Sequence, residues 1–573
     1  MYRSVYNYNK NVLLLRFFGC IAIAATLHAA PAIFPLKDIR AGQHGVGRTV
    51  FSGSRVEEFD VEILGVLENM SPKESIILGR LKGGPLEHTG VMQGMSGSPV
   101  YIDGKLAGAV ALSFPYSKDA IAGIRPVEDM LRVEPDGPRV MARQRFMARD
   151  ARLEEIATPV SFSGFTSATL EHFGVQLREM GMDPRQGVSG GGKPTDRMGD
   201  PKNIEPGSMI SAQLLTGDYS ISADGTVTLI DGDHVYAFGH RFMDSGPSDV
   251  PFARAEVLAL LPNLNSSFKI SAAREWMGTL TDDRSMAVSG VMGRRAAMAP
   301  IDIHVGKNVY HMQVVQDRVM TPLVTQMALF SAIDATERAQ GGSTFSVTGH
   351  LDFEGGSVRV DNVYSGDVAV AALAALGVGT SLNYAMASGF DAFKLKGVTL
   401  NVGVVDRKSQ VQIADIAAPR SVRPGENVEL IVTLEGENGA ESQRKVMYRV
   451  PVGAPPGPIN FTAADASTTN VTEFGASIGL QYHSPGQVLE FLNGLRSNTK
   501  AYIRVWRNEA SYTIDGRDLP SPPPSVAMIL SRAQTQAALL QNLRGSKLAE
   551  IEISAGDSVV TGTKTVQVEV KEQ

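Results

Sequence analysis

The chain has little cysteine, little tryptophan and no excess of basic charge. Its single cysteine, Cys20, excludes an internal disulfide and a thiolate metal cluster. The 54 basic residues are outnumbered by 60 acidic ones, for a net charge of −6, and no basic run interrupts that balance. A nucleic-acid surface needs a basic stripe, so no nucleic-acid partner is expected. Beyond the N-terminal segment no stretch reaches the roughly 18 uninterrupted apolar residues that mark a membrane helix. There is no His-Glu-x-x-His helix and no Gly-rich loop ending in Lys-Ser/Thr, so neither a metal nor another cofactor is expected. Hydrophobic residues make up 43% of the chain and charged residues 20%, which suits a protein that buries real cores. The 58 glycines are nearly twice the 30 prolines, a balance that favours turn-rich β structure over helical bundles. At about 150 residues per domain, 573 residues predict three or four domains.

The N-terminus carries Lys10 and Arg16 ahead of a short apolar run, Phe17 to Ala30, that meets Pro31-Ala32. A basic start, an apolar middle and small residues at the end read as a secretory signal peptide over 1–32. The expected mature chain is exported, periplasmic or secreted, free of cysteine, and has no integral membrane span.

Residues 33–140 read as a β-subdomain of short strands and tight turns. Val61 to Leu67 partly alternates, and Gly97 to Ile102 leads into Asp103-Gly104, a hairpin signal, with Leu106 to Leu112 as the return strand. Residues 141–204 read as a helical segment, with a second helix over Ser167 to Gly181, followed by the Gly-rich linker at 187–192. A second β-subdomain spans 205–310, with strands over Ser208 to Leu215 and Thr226 to Ile230 and turns at Ala223-Asp224-Gly225 and Asp231-Gly232-Asp233. Residues 311–418 form a mixed α/β extension with one small-residue helix around Val368 to Gly377. Alternation in Asn427 to Leu434 and in Val446 to Val452 predicts a β-sandwich-like module over 419–519. The Pro-rich connector at Pro520 to Pro524, a helix near Val526 to Leu543 and two closing strands fill 520–573.

Chemistry concentrates in Gln93-Gly94-Met95-Ser96-Gly97-Ser98-Pro99. A nucleophilic serine needs a tight turn that exposes its hydroxyl and converges backbone N–H groups on the nascent oxyanion. Gly94 and Gly97 permit that turn; a plain Gly/Ser turn between strands is the competing reading. Together with Asp103 to Val110 and the upstream Val56 to Ile63, the segment resembles the nucleophile region of the stage-IV sporulation protein B serine peptidase family. A second stretch, Val235-Tyr236-Ala237-Phe238-Gly239-His240-Arg241-Phe242-Met243-Asp244, is similar to that family's Gly-His block, with an aspartate four residues later. Gly217-Asp218, Gly225 to Thr228 and, more loosely, Gly278 to Arg284 and Gly290 to Gly293 also fit.

The resemblance implies a mainly β protein: a chymotrypsin-like double β-barrel with its serine and histidine blocks in permuted order, followed by C-terminal β-rich, sandwich-like modules. It implies Ser96 as nucleophile, His240 as general base, Asp244 as a candidate acid, and the backbone of Gly94 and Met95 as oxyanion donors. Glu87 is a second candidate acid and His88 an alternative base. The family's aspartate, placed about fifteen residues before the serine, falls here on Leu81, so the third triad member is unassigned. The expected function is an exported serine endopeptidase that performs limited proteolysis of envelope or secreted proteins, with a protein or peptide substrate; members of the resembled family also process themselves. The alternative is an inactive, peptidase-like binding or scaffold protein of the envelope.

Overall fold

The computed structural model describes residues 32–572 apart from 72–73, 133–152, 188–193, 337–340, 478–481, 510, 515–516, 521, 533–539 and 544. The expected signal segment and Cys20, the helical stretch after Met141 and most of the Gly-rich linker lie outside the described residues. The protein is mainly β, with 52% of the described residues in strands and 19% in helices.

The first barrel is built from β1 (His44–Val50), β2 (Val56–Ser71), β3 (Glu74–Lys82), β4 (Pro99–Ile102), β5 (Lys105–Ser113) and β6 (Ile121–Pro126). The strands run in the order β4-β1-β2-β3-β6-β5, and a β4–β5 pairing closes the ring. Closure removes both exposed edges. Along β2 the period of two sends Phe59, Val61 and Ile63 inward and leaves Asp60 exposed. The inward residues meet Val100, Ile102, Val110 and Ile124 in one core. The hairpin between β4 and β5 turns on Asp103 (φ 49°) and Gly104 (φ 71°), the backbone that a two-residue connection demands. Short helices α1 (Leu86–Thr89) and α2 (Val127–Leu131) flank the barrel, and β7 (Glu154–Glu155) adds to the outer end of β5.

The chain then forms β8 (Thr158–Ser163), α3 (Ser167–Glu179), β9 (Met182–Gln186) and β10 (Thr195–Met198) before entering the second barrel. Its strands are β11 (Met209–Gly217), β12 (Ser220–Asp231), β13 (His234–Ala237), β14 (Gly246–Leu261), β15 (Phe268–Arg284) and β16 (Ala287–Met292). They run in the order β11-β14-β15-β16-β13-β12, closed by a β11–β12 pairing. The turn expected at Ala223-Asp224-Gly225 is instead the middle of β12. Asp224 is satisfied there by buried serine hydroxyls, and Gly225 leaves room for the Phe238 ring, which would lie 2.6 Å from a Cβ at that position.

Unlike the first barrel, the second does not stop at closure. β11 continues through β18 (Asn308–Val315), β17 (Met298–Val305), β21 (Leu395–Val405), β19 (Ser343–Phe353) and β20 (Gly356–Gly366). Helices α4 (Met320–Thr336) and α5 (Val370–Ala387) share one hydrophobic core with these strands. The expected single helix of this region is therefore a pair. α4 is buried almost all round, from Met320 to Ile333, so it carries no polar stripe to announce it.

The C-terminal part is a sandwich. One sheet pairs Gln410–Ala417, Asn427–Gly436, Glu441–Arg449 and Val559–Thr561; the other contains Gly457–Asp465, Lys500–Arg507, Ser546–Ser554 and Thr563–Val570. The expected alternation is plain in Asn427–Gly436, where Val428, Leu430, Val432 and Leu434 face Phe461, Ile503 and Val568 across the shared core. The described part of the expected C-terminal helix is Pro524–Arg532, and Leu540–Leu543 is a strand.

Candidate active site

The two barrels meet along a seam with apolar and polar parts. Val50 packs on Met209, Ala255 and Val257, and Gly53 and Val257 exchange both backbone hydrogen bonds (2.8 and 2.7 Å). The turn at 93–98 lies in this seam and is laced to the second barrel. The Thr226 N–H donates to the Ser96 carbonyl (2.9 Å), the Thr226 hydroxyl to the Gly94 carbonyl (2.8 Å) and the Thr228 hydroxyl to the Gly97 carbonyl (2.7 Å). The Gln93 N–H donates to the Ser267 carbonyl (2.8 Å) and the Lys269 N–H to the Gln93 carbonyl (3.2 Å).

Gly97 explains why the turn is glycine-bound. Its φ is +93°, and a Cβ there would stand 2.0 Å from the Thr226 oxygen and 2.5 Å from the Phe238 nitrogen. No other residue fits, on conformation or on space. The serine turn thus touches the backbone of Phe238, two residues from His240. Phe238 and Gly239 both have positive φ (67° and 66°). This is a strained arrangement for a bulky residue and one that clusters at functional sites. The Phe238 ring is fully buried and packs on Phe242 at 5.9 Å, while Arg125 Nε donates to the Gly239 carbonyl (2.8 Å).

Ser96 is 0% exposed and His240 2%. Among the described residues, neither Ser96 Oγ nor His240 Nε2 has a hydrogen-bond partner, so the hydroxyl and the imidazole are not bonded to each other in this structure. His240 Nδ1 lies 2.6 Å from the Arg241 carbonyl. A carbonyl only accepts, so Nδ1 carries the proton and Nε2 presents its lone pair. Burial lowers the His240 pKa, opposed by the Glu155 carboxylate and the Arg241 carbonyl; the ring is held neutral.

Asp244 does not reach that ring. Its side chain is 55% exposed and pairs with Arg241 at 3.6 Å, and the Nδ1 position is taken by the Arg241 carbonyl. Glu87 and His88 sit in α1, on the first-barrel side. Of the oxyanion donors read from the sequence, the Met95 N–H is committed to the Met92 carbonyl (3.1 Å). Among the described residues, no hydrogen bond engages the N–H of Gly94 or of Ser96.

Sequence reasoning missed the carboxylate that shapes the histidine loop. Asp283 of β15 is buried and accepts from the N–H groups of Phe242 (2.8 Å), Met243 (2.6 Å) and Ser245 (3.4 Å). Burial raises its pKa to about 6 against the pull of those amides. The only signal was the loosely matching stretch around Asp282-Asp283. A second buried group stands behind the serine turn. The Lys269 side chain packs on Gly94 and donates to the Thr49 hydroxyl (2.7 Å). Asp224 accepts from Ser211 (2.5 Å) and Ser271. Burial pushes the Lys269 pKa down to about 7 and the Asp224 pKa up, so both are driven toward neutrality. Among the described residues there is no cluster of metal-ligating side chains.

A cavity of about 1120 Å³ opens beside the seam, lined by Gln93, Ser113, Glu155, Asp183, His240 and Asp244 among others. Its walls come from both barrels. Gln93, three residues before Ser96, is 4% exposed, donates through Nε2 to Asp183 (2.8 Å) and, among the described residues, leaves Oε1 without a partner.

Residues 21–131 match the model of the SpoIVB peptidase S55 family. The matched residues include the whole first barrel, which is an S55-like barrel. The match includes Ser96 and stops before His240, and it supports a serine peptidase with a chymotrypsin-like fold. No curated protein and no solved structure matches the chain. Beside the S55-like barrel, the second closed ring of six strands completes the double-barrel architecture.

Proposed function

We propose that the protein is a serine endopeptidase in which Ser96 attacks the peptide carbonyl and His240 accepts its proton, returning it to the leaving amine. The observation that carries this reading is the seam itself. The turn bearing Ser96 and the strained turn bearing His240 are in backbone contact at Gly97 and Phe238. A neutral imidazole whose Nε2 is unprotonated suits a general base. The unengaged N–H groups of Gly94 and Ser96 suit an oxyanion hole. With Nδ1 bonded to a backbone carbonyl, ring orientation and tautomer do not depend on a carboxylate, and the third triad position is filled by the Arg241 carbonyl. The substrate is a protein segment. The reading extends to limited cleavage of exported or envelope proteins, with self-processing, on the strength of the N-terminal sequence and the family resemblance.

A fluorophosphonate probe tests it on the mature full-length protein. Labelling of the wild type and none of Ser96→Ala is the expected result. The labelling rate should rise with pH through an inflection below 6.5, the ordinary histidine value. Absence of labelling in folded wild-type protein favours the inactive scaffold instead.

A further inference from the structure

Neither candidate catalytic atom is reachable from solvent, and a piece of this chain lies beside His240. β7 pairs antiparallel with the end of β5, Glu155 opposite Leu112 and Glu154 opposite Ser113, and the Ile156 N–H donates to the Ala111 carbonyl (2.9 Å). This is the way an extended peptide docks on a sheet edge. The strand of β5 involved is the one against the histidine turn: a Cβ at Gly239 would touch Ala109, Ala111 and the Val110 carbonyl at 3.3 Å. Each side chain of the segment has a seat. Leu153 packs on Ile76, Ala111 and Leu112, and Ile156, 3% exposed, joins the core of the S55-like barrel. The Glu155 carboxylate lies 3.2 Å from Arg241 Nε and 3.8 Å from an Arg125 nitrogen. Arg125 is 4% exposed and holds the Gly239 carbonyl. Glu154, exposed, faces the cavity with Glu155 and Ala157.

We propose that Leu153–Ala157 occupies the substrate's own strand site and must leave before a peptide can bind, and that this site selects an acidic side chain directly followed by an apolar one. The inference rests on the peptidase reading and adds to it the occupant and the substrate class. Arg125 and Arg241 form the acidic subsite, and the pocket of Ile156 forms the apolar one. Departure of Glu155 vacates the carboxylate place between the two arginines, Arg125 keeping Glu74 and Arg241 keeping Asp244 as partners, and removes the carboxylate that acts on His240. An incoming peptide of the same pattern restores it.

A reversible lock tests the displacement. Ser113→Cys and Glu154→Cys, with Cys20→Ser, place one thiol on each of two facing strand positions, within the span a disulfide can bridge. The oxidised protein should react with the fluorophosphonate at least about tenfold more slowly than the reduced protein. Reductant should restore the rate, which separates locking from misfolding. Equal rates overturn the proposal. A second arm needs no catalysis. In a Ser96→Ala background with the same cysteines, a fluorescent Leu-Glu-Glu-Ile-Ala peptide should bind the reduced form and not the oxidised form. Replacing its second glutamate by lysine should weaken binding about tenfold or more. Equal binding to both forms, or binding to neither, overturns the proposal. Gated peptide binding without any labelling of active-serine protein overturns the peptidase reading and leaves the strand site standing.

Discussion

The two barrels have the same number of strands and solve different problems. The S55-like barrel is a self-contained ring whose serine turn is immobilised from outside, by three hydrogen bonds from Thr226 and Thr228 of its neighbour. The second barrel is one part of a much larger sheet, and its histidine turn is immobilised from both sides, by the Asp283 carboxylate of its own β15 and by the Arg125 guanidinium from β6 of the S55-like barrel. A serine turn needs only glycines and a partner strand. The histidine turn, with Phe238 and Gly239 at positive φ, is held by buried polar side chains. The difference shows that each barrel supplies half of a site and that the support for each half crosses or lines the seam.

The largest effect expected bears on whether the halves act as one. His240→Ala should slow fluorophosphonate labelling by about 10²–10⁴-fold while the thermal midpoint stays near wild type. In peptide cleavage, Ser96→Ala combined with His240→Ala should be no worse than Ser96→Ala alone, since residues acting as a unit are grossly non-additive. Additive losses would show the barrels working independently.

Next comes backbone tolerance on the two sides. Gly97→Ala forces a Cβ against the Thr226 carbonyl at positive φ and should cost about 3–4 kcal/mol in urea denaturation. Gly239→Ala also has positive φ, but its nearest neighbours stand at 3.3 Å, so about 1 kcal/mol is expected. Equal costs would mean that the serine turn is no tighter than the histidine turn.

The most specific effect concerns Asp283. Its folded pKa of about 6 lies above the ordinary 3.8, so the folded protein holds this proton more tightly than the unfolded chain. The carboxyl therefore contributes stability below pH 4 that is lost as the pH rises through 6, of order 3 kcal/mol. Asp283→Asn has no such titration. The stability of wild type relative to this variant, from melts between pH 4 and 7, should decline by up to that amount. A gap that widens with pH would mean that the backbone amides dominate burial.

Much of this was legible in the chain itself, for reasons that can be named. Closely spaced Gly94 and Gly97 announced a tight turn, Gly239-His240 announced an imidazole at a strand end, and period-two patterns in β2 and in Asn427–Gly436 announced half-buried strands. The mainly β, double-barrel fold follows from those signals and the family resemblance. What escaped was support carried over long sequence distance. Thr226 and Gly94 lie more than a hundred residues apart, and nothing local in either tells of the other. Asp224 looked like a turn residue because its partners, Ser211 and Ser271, come from two other strands. Asp244 drew attention through its spacing from His240, whereas the carboxylate that organises that loop, Asp283, reaches it from a different strand. α4 went unseen because a helix buried on every side has no amphipathic rhythm to read.

One feature of chain order reaches beyond geometry. A ribosome makes all six strands of the S55-like barrel before any of β11 to β16 exists. On the reading above, the growing polypeptide therefore displays a serine with no base to activate it, and its cutting edge is assembled only when the later strands arrive. Synthesis itself keeps the blade sheathed, and the segment between the barrels is in place to hold it so once folding is done.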